Sequence, residues 1–195
     1  MTLILKKHLL LIFLALLFVG CGLKTYKLKN GYSKAAINKK VYSNKVKFNE
    51  SLLKNIDTTV IYEEFNTVSY FGLEATNVNI VARKNYRDPY TNYGVYRFYK
   101  NGLFNLFILN RNDSILQKEM FDPLYTGWRG VLYKEKEELK GDLITQVSGT
   151  GTIGKITINF QFKGDTLFVS RKNKWNYIYI KRKIPTELLN HKAEW

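Results

Sequence analysis

"ITINFQFKGDTLFVS", residues 156–170, reads as two strands and the turn between them. Ile156, Ile158, Phe160 and Phe162 alternate with Thr157, Asn159 and Gln161. Side chains on a strand point to opposite faces in turn, so this pattern buries one face and wets the other. A two-residue turn at Gly164-Asp165 sets Phe162 opposite Leu167 and Phe160 opposite Val169. Turn chemistry and apolar alternation select the same register, and a one-residue slip would invert every side chain.

Upstream, "VYRFYKNGLFNLFIL" (95–109) carries a second hairpin signal at Asn101-Gly102. A two-residue type I′ turn there pairs Tyr99 with Phe104, Arg97 with Leu106 and Val95 with Ile108 on one face. The other face then holds Tyr96, Phe98, Leu103, Phe107 and Leu109. Both faces are largely apolar, so the hairpin is expected to be covered at least in part on both sides. "TTVIYEEF" (58–65), "GWRGVLYKE" (127–135), "DLITQVSG" (142–149) and "WNYIYIKRK" (175–183) add strands rich in β-branched and aromatic residues. Residues 66–93 are the least readable, and "RKNYRDPYTNYG" (83–94) looks like a long loop. Leu52, Leu53 and Ile56 share one side of a short helix over 50–56, and another short helix falls at 187–190.

About eight or nine strands with short turns and little helix predict an all-β fold. An antiparallel up-and-down barrel or strongly curved sheet is the expected architecture, because closure removes exposed edges. A two-sheet β-sandwich is the alternative. The spacing and the late hairpins resemble the lipocalin-like lipoproteins of bacteria, a likeness of pattern that implies a barrel able to hold one apolar molecule.

The N-terminus carries a different signal. Lys6 and Lys7 precede an unbroken apolar run at 9–19, and Gly20, Cys21 and Gly22 follow. Eleven helical residues reach only about half of a roughly 30 Å hydrocarbon core. The run has the length of a signal-peptide apolar region behind a positive start. Phe18-Val19-Gly20-Cys21 resembles the lipobox of bacterial lipoproteins, which implies cleavage before Cys21 and acylation of Cys21. Cys21 is the only cysteine, so an exported chain has no internal disulfide to form. The expected organisation is a signal peptide at 1–20, a lipidated lysine-rich tether at 21–47 and a single β-rich domain at 48–195.

Charge is concentrated in that tether. Residues 22–47 hold eight lysines and no acid, in a chain with a formal net charge of +15. A solvated linker explains them, and a linker lying on anionic lipid beside its anchor would draw on the same charge. Nucleic acid is not expected as a partner, since lysine outnumbers arginine and an exported protein meets little of it. In lipoproteins that resemble this one, an acidic stretch after the cysteine directs surface display. Lys24, Lys27 and Lys29 stand there instead, and Gly22 follows the cysteine where aspartate would retain the chain in the inner membrane. That resemblance implies an outer-membrane anchor facing the periplasm.

Catalytic signatures are sparse. His8 precedes Cys21 and His191 lies near the end, so residues 48–190 contain no histidine for a Ser-His-Asp triad or an ordinary zinc site. "GTGTIGK" (149–155) matches nucleotide-loop spacing through Gly149, Gly151, Gly154 and Lys155, but a phosphate loop needs a helix to follow. The alternating "ITINFQF" follows instead, which reads as a glycine-rich hairpin connection. Glu63 and Glu64 are adjacent and face opposite ways on a strand. Thr58, Ser114 and Thr166 each follow an aspartate in a triplet that resembles an O-glycosylation signal of some Gram-negative envelope proteins.

These readings predict no enzyme, cofactor or metal. The expected function is a lipid-anchored envelope module that binds or scaffolds, with Arg97, Tyr99, Phe104 and Leu106 lining a barrel site for an apolar or amphiphilic ligand. Arg97 would meet an anionic head group there or sit in an interior ion pair. A protein-docking module of the envelope without a small ligand is the second reading, and a carboxylate hydrolase the third.

Overall fold

The computed structural model describes residues 22–68, 92–171 and 176–195. Two short strands, β1 (Thr25–Lys27) and β2 (Lys34–Ala36), form a small antiparallel hairpin. Eight more follow: β3 (Ile61–Val68), β4 (Asn92–Phe98), β5 (Leu103–Asn110), β6 (Trp128–Glu135), β7 (Glu138–Gln146), β8 (Ile153–Lys163), β9 (Thr166–Arg171) and β10 (Asn176–Arg182). They pair in chain order and close through β3 and β10 into an antiparallel barrel. This is the up-and-down barrel expected from the sequence. The helical segments among the described residues are 3-10 turns, at Lys39–Lys47, Glu50–Leu53, Lys118–Phe121 and Thr186–Leu189. Two of them coincide with the short helices expected at 50–56 and 187–190.

The β8–β9 hairpin has the register read from its sequence, Phe162 opposite Leu167 and Phe160 opposite Val169. Gly164 takes φ +56°, the positive value its turn position demands. The β4–β5 hairpin differs from expectation by one residue. Tyr99 N donates to Leu103 O at 2.9 Å, so the loop is Lys100-Asn101-Gly102, with Gly102 at φ +76°. Asn-Gly serves here as the end of a three-residue loop with a left-handed third residue, not as a type I′ turn. Phe98 therefore pairs with Phe104, Arg97 with Asn105 and Tyr96 with Leu106. The slip moves Arg97 and Tyr99 away from Phe104 and Leu106 and onto the outside of the barrel. Residues 69–91, most of the expected long loop, lie outside the described residues, and β4 already begins at Asn92.

The interior core is aromatic: Tyr62, Tyr96, Phe98, Phe104, Phe160 and Tyr179 are buried, with Phe162 at its edge. The outer face is buried as well over β3–β7. Ile61, Val95, Phe107 and Leu109 pack under Phe121 and Leu189 of the 3-10 turns. Leu103, Val131 and Ile144 pack under Ala36, Tyr42 and Trp195.

That second cluster corrects the picture of a free tether. Residues 22–47 run along the barrel, with Leu28, Ala35, Ala36 and Tyr42 buried and most lysines turned to solvent. Asp142, on the outer face of β7, is 1% exposed and fastens this wrap. It accepts from Asn44 Nδ2 (2.7 Å), Thr157 Oγ1 (2.9 Å), Tyr133 Oη (3.1 Å) and Lys155 Nζ (3.2 Å).

At the end of the barrel holding the 100–102, 136–137 and 164–165 turns, Phe48, Leu53, Ile56 and Val60 cap the interior. Asp57 closes this cap on β10. It accepts from Thr59 Oγ1 at 2.6 Å and from Thr59 N at 3.0 Å, and Lys181 Nζ lies 3.0 Å from its other oxygen. Chiefly the Thr59 hydroxyl, with Lys181 behind it, holds the carboxyl down at about 2, from an ordinary 3.8. A depressed acid stabilises the fold above its unfolded pKa and loses that contribution as pH falls through the folded value. An Asp57→Asn variant is expected to melt below wild type at pH 7 and to converge with it between pH 4 and 2. Parallel melting curves across that window would remove Asp57 from the account.

Candidate functional site

Inward-facing positions decide what the barrel can hold. The Tyr96 ring lies 4.8 Å from Tyr179, 5.5 Å from Phe160, 5.9 Å from Phe104 and 6.0 Å from Phe98, centroid to centroid. Phe104 is fully buried and lies over β6 and β7, where Gly130 and Gly141 leave room for its ring. A Cβ on Gly141 would stand 2.7 Å from that ring, and one on Gly130 closer still. The waist of the barrel is thus packed solid, and the open space described below lies toward its two ends.

The mouth end lies where β3, β5, β7 and β9 finish. A pocket of about 200 Å³ opens there among Glu64, Tyr96, Leu106, Trp128, Arg171 and Tyr179. Glu64 Oε2 accepts from Gly94 N at 2.6 Å. The Arg171 guanidinium sits 5.9 Å from the Tyr177 ring. Burial pushes the hydroxyls of Tyr96, Tyr177 and Tyr179 above the ordinary tyrosine value. They stay protonated at neutral pH and act as hydrogen-bonding groups, not as bases. Glu64 is the one carboxylate among the described residues lining this pocket. Acid–base hydrolysis by two carboxylates needs a second within roughly 5 to 10 Å.

The capped end has a larger groove, about 870 Å³. Ile56, Leu139, Phe160 and Phe162 give it an apolar floor, while Ser51, Asn55, Asn159 and Gln161 line it with polar groups. Lys54, Lys134, Glu137 and Glu138 stand exposed at its edge. Lys134 pairs with Glu137 at 2.9 Å across solvent, an arrangement of little energetic weight. Its volume lies within the range of drug-sized ligand sites.

The residues picked out from the sequence separate here. Leu106 lines the mouth pocket and Phe104 belongs to the packed waist. Arg97 and Tyr99 line neither. Arg97 is buried on the outer face, where it donates to the backbone carbonyls of Leu189 and His191 and stacks on Tyr99 at 4.6 Å. Burial works against its charge, and the two carbonyls with the Tyr99 ring replace the head group or ion pair expected there. Cys21 lies outside the described residues. Ser114 is exposed on the β5–β6 connection, Thr58 is half-buried in a turn, and Thr166 opens β9. After "GTGTIGK" the chain enters β8, so its glycines serve a hairpin connection.

The sequence carries no sign of the role of Asp142, which only opens a strand-forming stretch there, or of the groove, whose lining comes from four separate segments. Only Phe160 and Phe162 were visible in advance, as inward-facing positions of an alternating strand. No family description, curated protein or solved structure matches the chain.

Proposed function

We propose that the chain is a bacterial envelope lipoprotein, anchored by acyl chains on Cys21, whose barrel binds an amphiphilic ligand in the groove at its capped end. The groove carries this reading: an aromatic floor for an apolar chain, and Lys54 at the edge for an anionic head. Its polar side groups suit a ligand that keeps one end in water. The anchor rests on the order Lys6-Lys7, apolar run, Gly20-Cys21. Several acyl chains on one residue hold a protein stably where one is marginal.

Two measurements test it. Titration with dansylaminoundecanoic acid is expected to give saturable, one-to-one binding, weakened at least tenfold by Asn159→Trp, which fills the groove. Binding indifferent to that substitution, or no saturable binding, rejects the groove. The mass of the chain from its own host is expected to equal residues 21–195 plus acyl chains, and Cys21→Ser to abolish the addition. An unmodified chain that still carries Met1 rejects the anchor.

A further inference from the structure

We propose that the mouth end of the barrel is a docking face for an anionic lipid bilayer, so that the protein stands mouth-down on the membrane. The inference rests on the anchoring reading above and adds an orientation to it. Most large apolar side chains that the described residues leave in solvent gather at this one end. Ile115, Leu124 and Tyr125 lie on the β5–β6 connection, Val147 on the β7–β8 turn, Ile108 near the top of β5 and Tyr32 on the tip of the β1–β2 hairpin. Tyr32 is 88% and Ile115 73% exposed. The turns at the opposite end, 100–102, 136–137 and 164–165, carry Lys, Asn, Gly, Glu and Asp. A one-ended apolar rim of this kind marks an interaction surface.

Three observations select lipid as the occupant. First, the chain enters the fold at this rim. Leu23 N donates to Ile153 O at 3.2 Å, and Gly22 lies beside the Thr152 side chain. Gly22, the residue that follows Cys21, is therefore placed at the mouth end. Second, the β1–β2 hairpin is held at the rim by Lys29 N to Leu124 O (3.4 Å) and Asn30 N to Tyr125 O (3.1 Å). It brings Lys24, Lys27 and Lys29, all exposed. Third, among the described residues none of these lysines forms an ion pair. Exposed Asp113 and Glu119 share their connection with Arg111 and Lys118, so among the described residues the hairpin lysines give the rim its excess positive charge. Unpaired lysines beside exposed aromatic and aliphatic side chains suit the headgroup region of an anionic membrane.

The test uses the full chain with Cys21→Ser, carrying a single new cysteine labelled with an environment-sensitive dye. Labels go on the rim (Ile115→Cys, Leu124→Cys, Val147→Cys) or on the opposite turns (Lys136→Cys, Asp165→Cys). The protein is reconstituted with vesicles of three parts phosphatidylcholine to one part phosphatidylglycerol, containing doxyl-labelled lipid. Rim labels are expected to be quenched several-fold more than turn labels, and less so on pure phosphatidylcholine or in 0.5 M salt. Protein that floats with the vesicles while its rim labels stay unquenched overturns the docking. Apolar emission at the rim that no doxyl lipid quenches means that residues 9–19 or a protein partner cover it, and also overturns the docking. Equal quenching on neutral lipid removes the role of the lysines and, with it, the anionic surface. A chain that does not float overturns the docking, while the anchor on Cys21, absent from this variant, is judged by the mass measurement above.

Discussion

Gly130→Ala is expected to destabilise the barrel by about 2 to 3 kcal/mol, the upper part of the range for overpacking a filled core. The Phe104 ring lies against the Gly130 backbone, is fully buried, and touches Tyr96, Phe98 and Phe160 on its other sides. An added methyl has no cavity to enter, so the ring must move into its neighbours. In a chain of this size the loss corresponds to a fall in Tm of about 4 to 12 °C. Removing the conflict should recover part of it. Phe104→Leu alone leaves a void, but beside Gly130→Ala it makes room for the methyl. The double variant is expected to be at least 1 kcal/mol more stable than the two single losses added together. Strict additivity would show that the ring and the glycine do not constrain one another.

Asp142→Ala is expected to cost about 3 kcal/mol, comparable to breaking a buried charged pair. One carboxylate satisfies donors on Asn44, Tyr133, Thr157 and Lys155, drawn from the wrap and from the two neighbouring strands β6 and β8. Its removal leaves the largely buried Tyr133 hydroxyl without this acceptor and unpins the wrap from β7. The effect has a local signature. Hydrogen exchange should rise first at Lys39–Lys47, with the barrel strands protected until global unfolding. Uniform loss of protection would mean that the wrap and barrel are one cooperative unit with no separable fastening.

The two hairpins show where the sequence could be read and where it could not. In 156–170, polar residues alternate with apolar ones, so the outward face independently checks the turn. In 95–109 nearly every position is apolar or aromatic. With both faces covered, alternation could not arbitrate between a two- and a three-residue loop, and Asn-Gly fits either. The single-residue slip that resulted placed Arg97 and Tyr99 inside. The actual partners of Arg97, the carbonyls of Leu189 and His191, are more than ninety residues away along the chain. No local pattern announces such a contact. The wrap was hidden for a different reason. Leu28, Ala35, Ala36 and Tyr42 are too widely spaced to mark a strand or helix face on their own, and the lysines between them read as solvated chain. The groove was legible only in its strand-borne floor, because a pocket made of four segments exists only once the barrel has closed.

The order of strands has a consequence for how the molecule comes into being. Seven of the eight barrel seams join neighbours in the chain, but the last joins Ile61 to Arg182. Hairpins can zip soon after both their strands emerge, whereas this seam must wait for β10 and pay the largest loop-closure entropy. Until then β3 and β10 both present unpaired edges, the condition that invites intermolecular pairing. On the anchoring proposed above, a chain delivered through a membrane pore, amino terminus first, would pass its most vulnerable interval already tethered. Its first strand would be held near the bilayer while the last was still arriving.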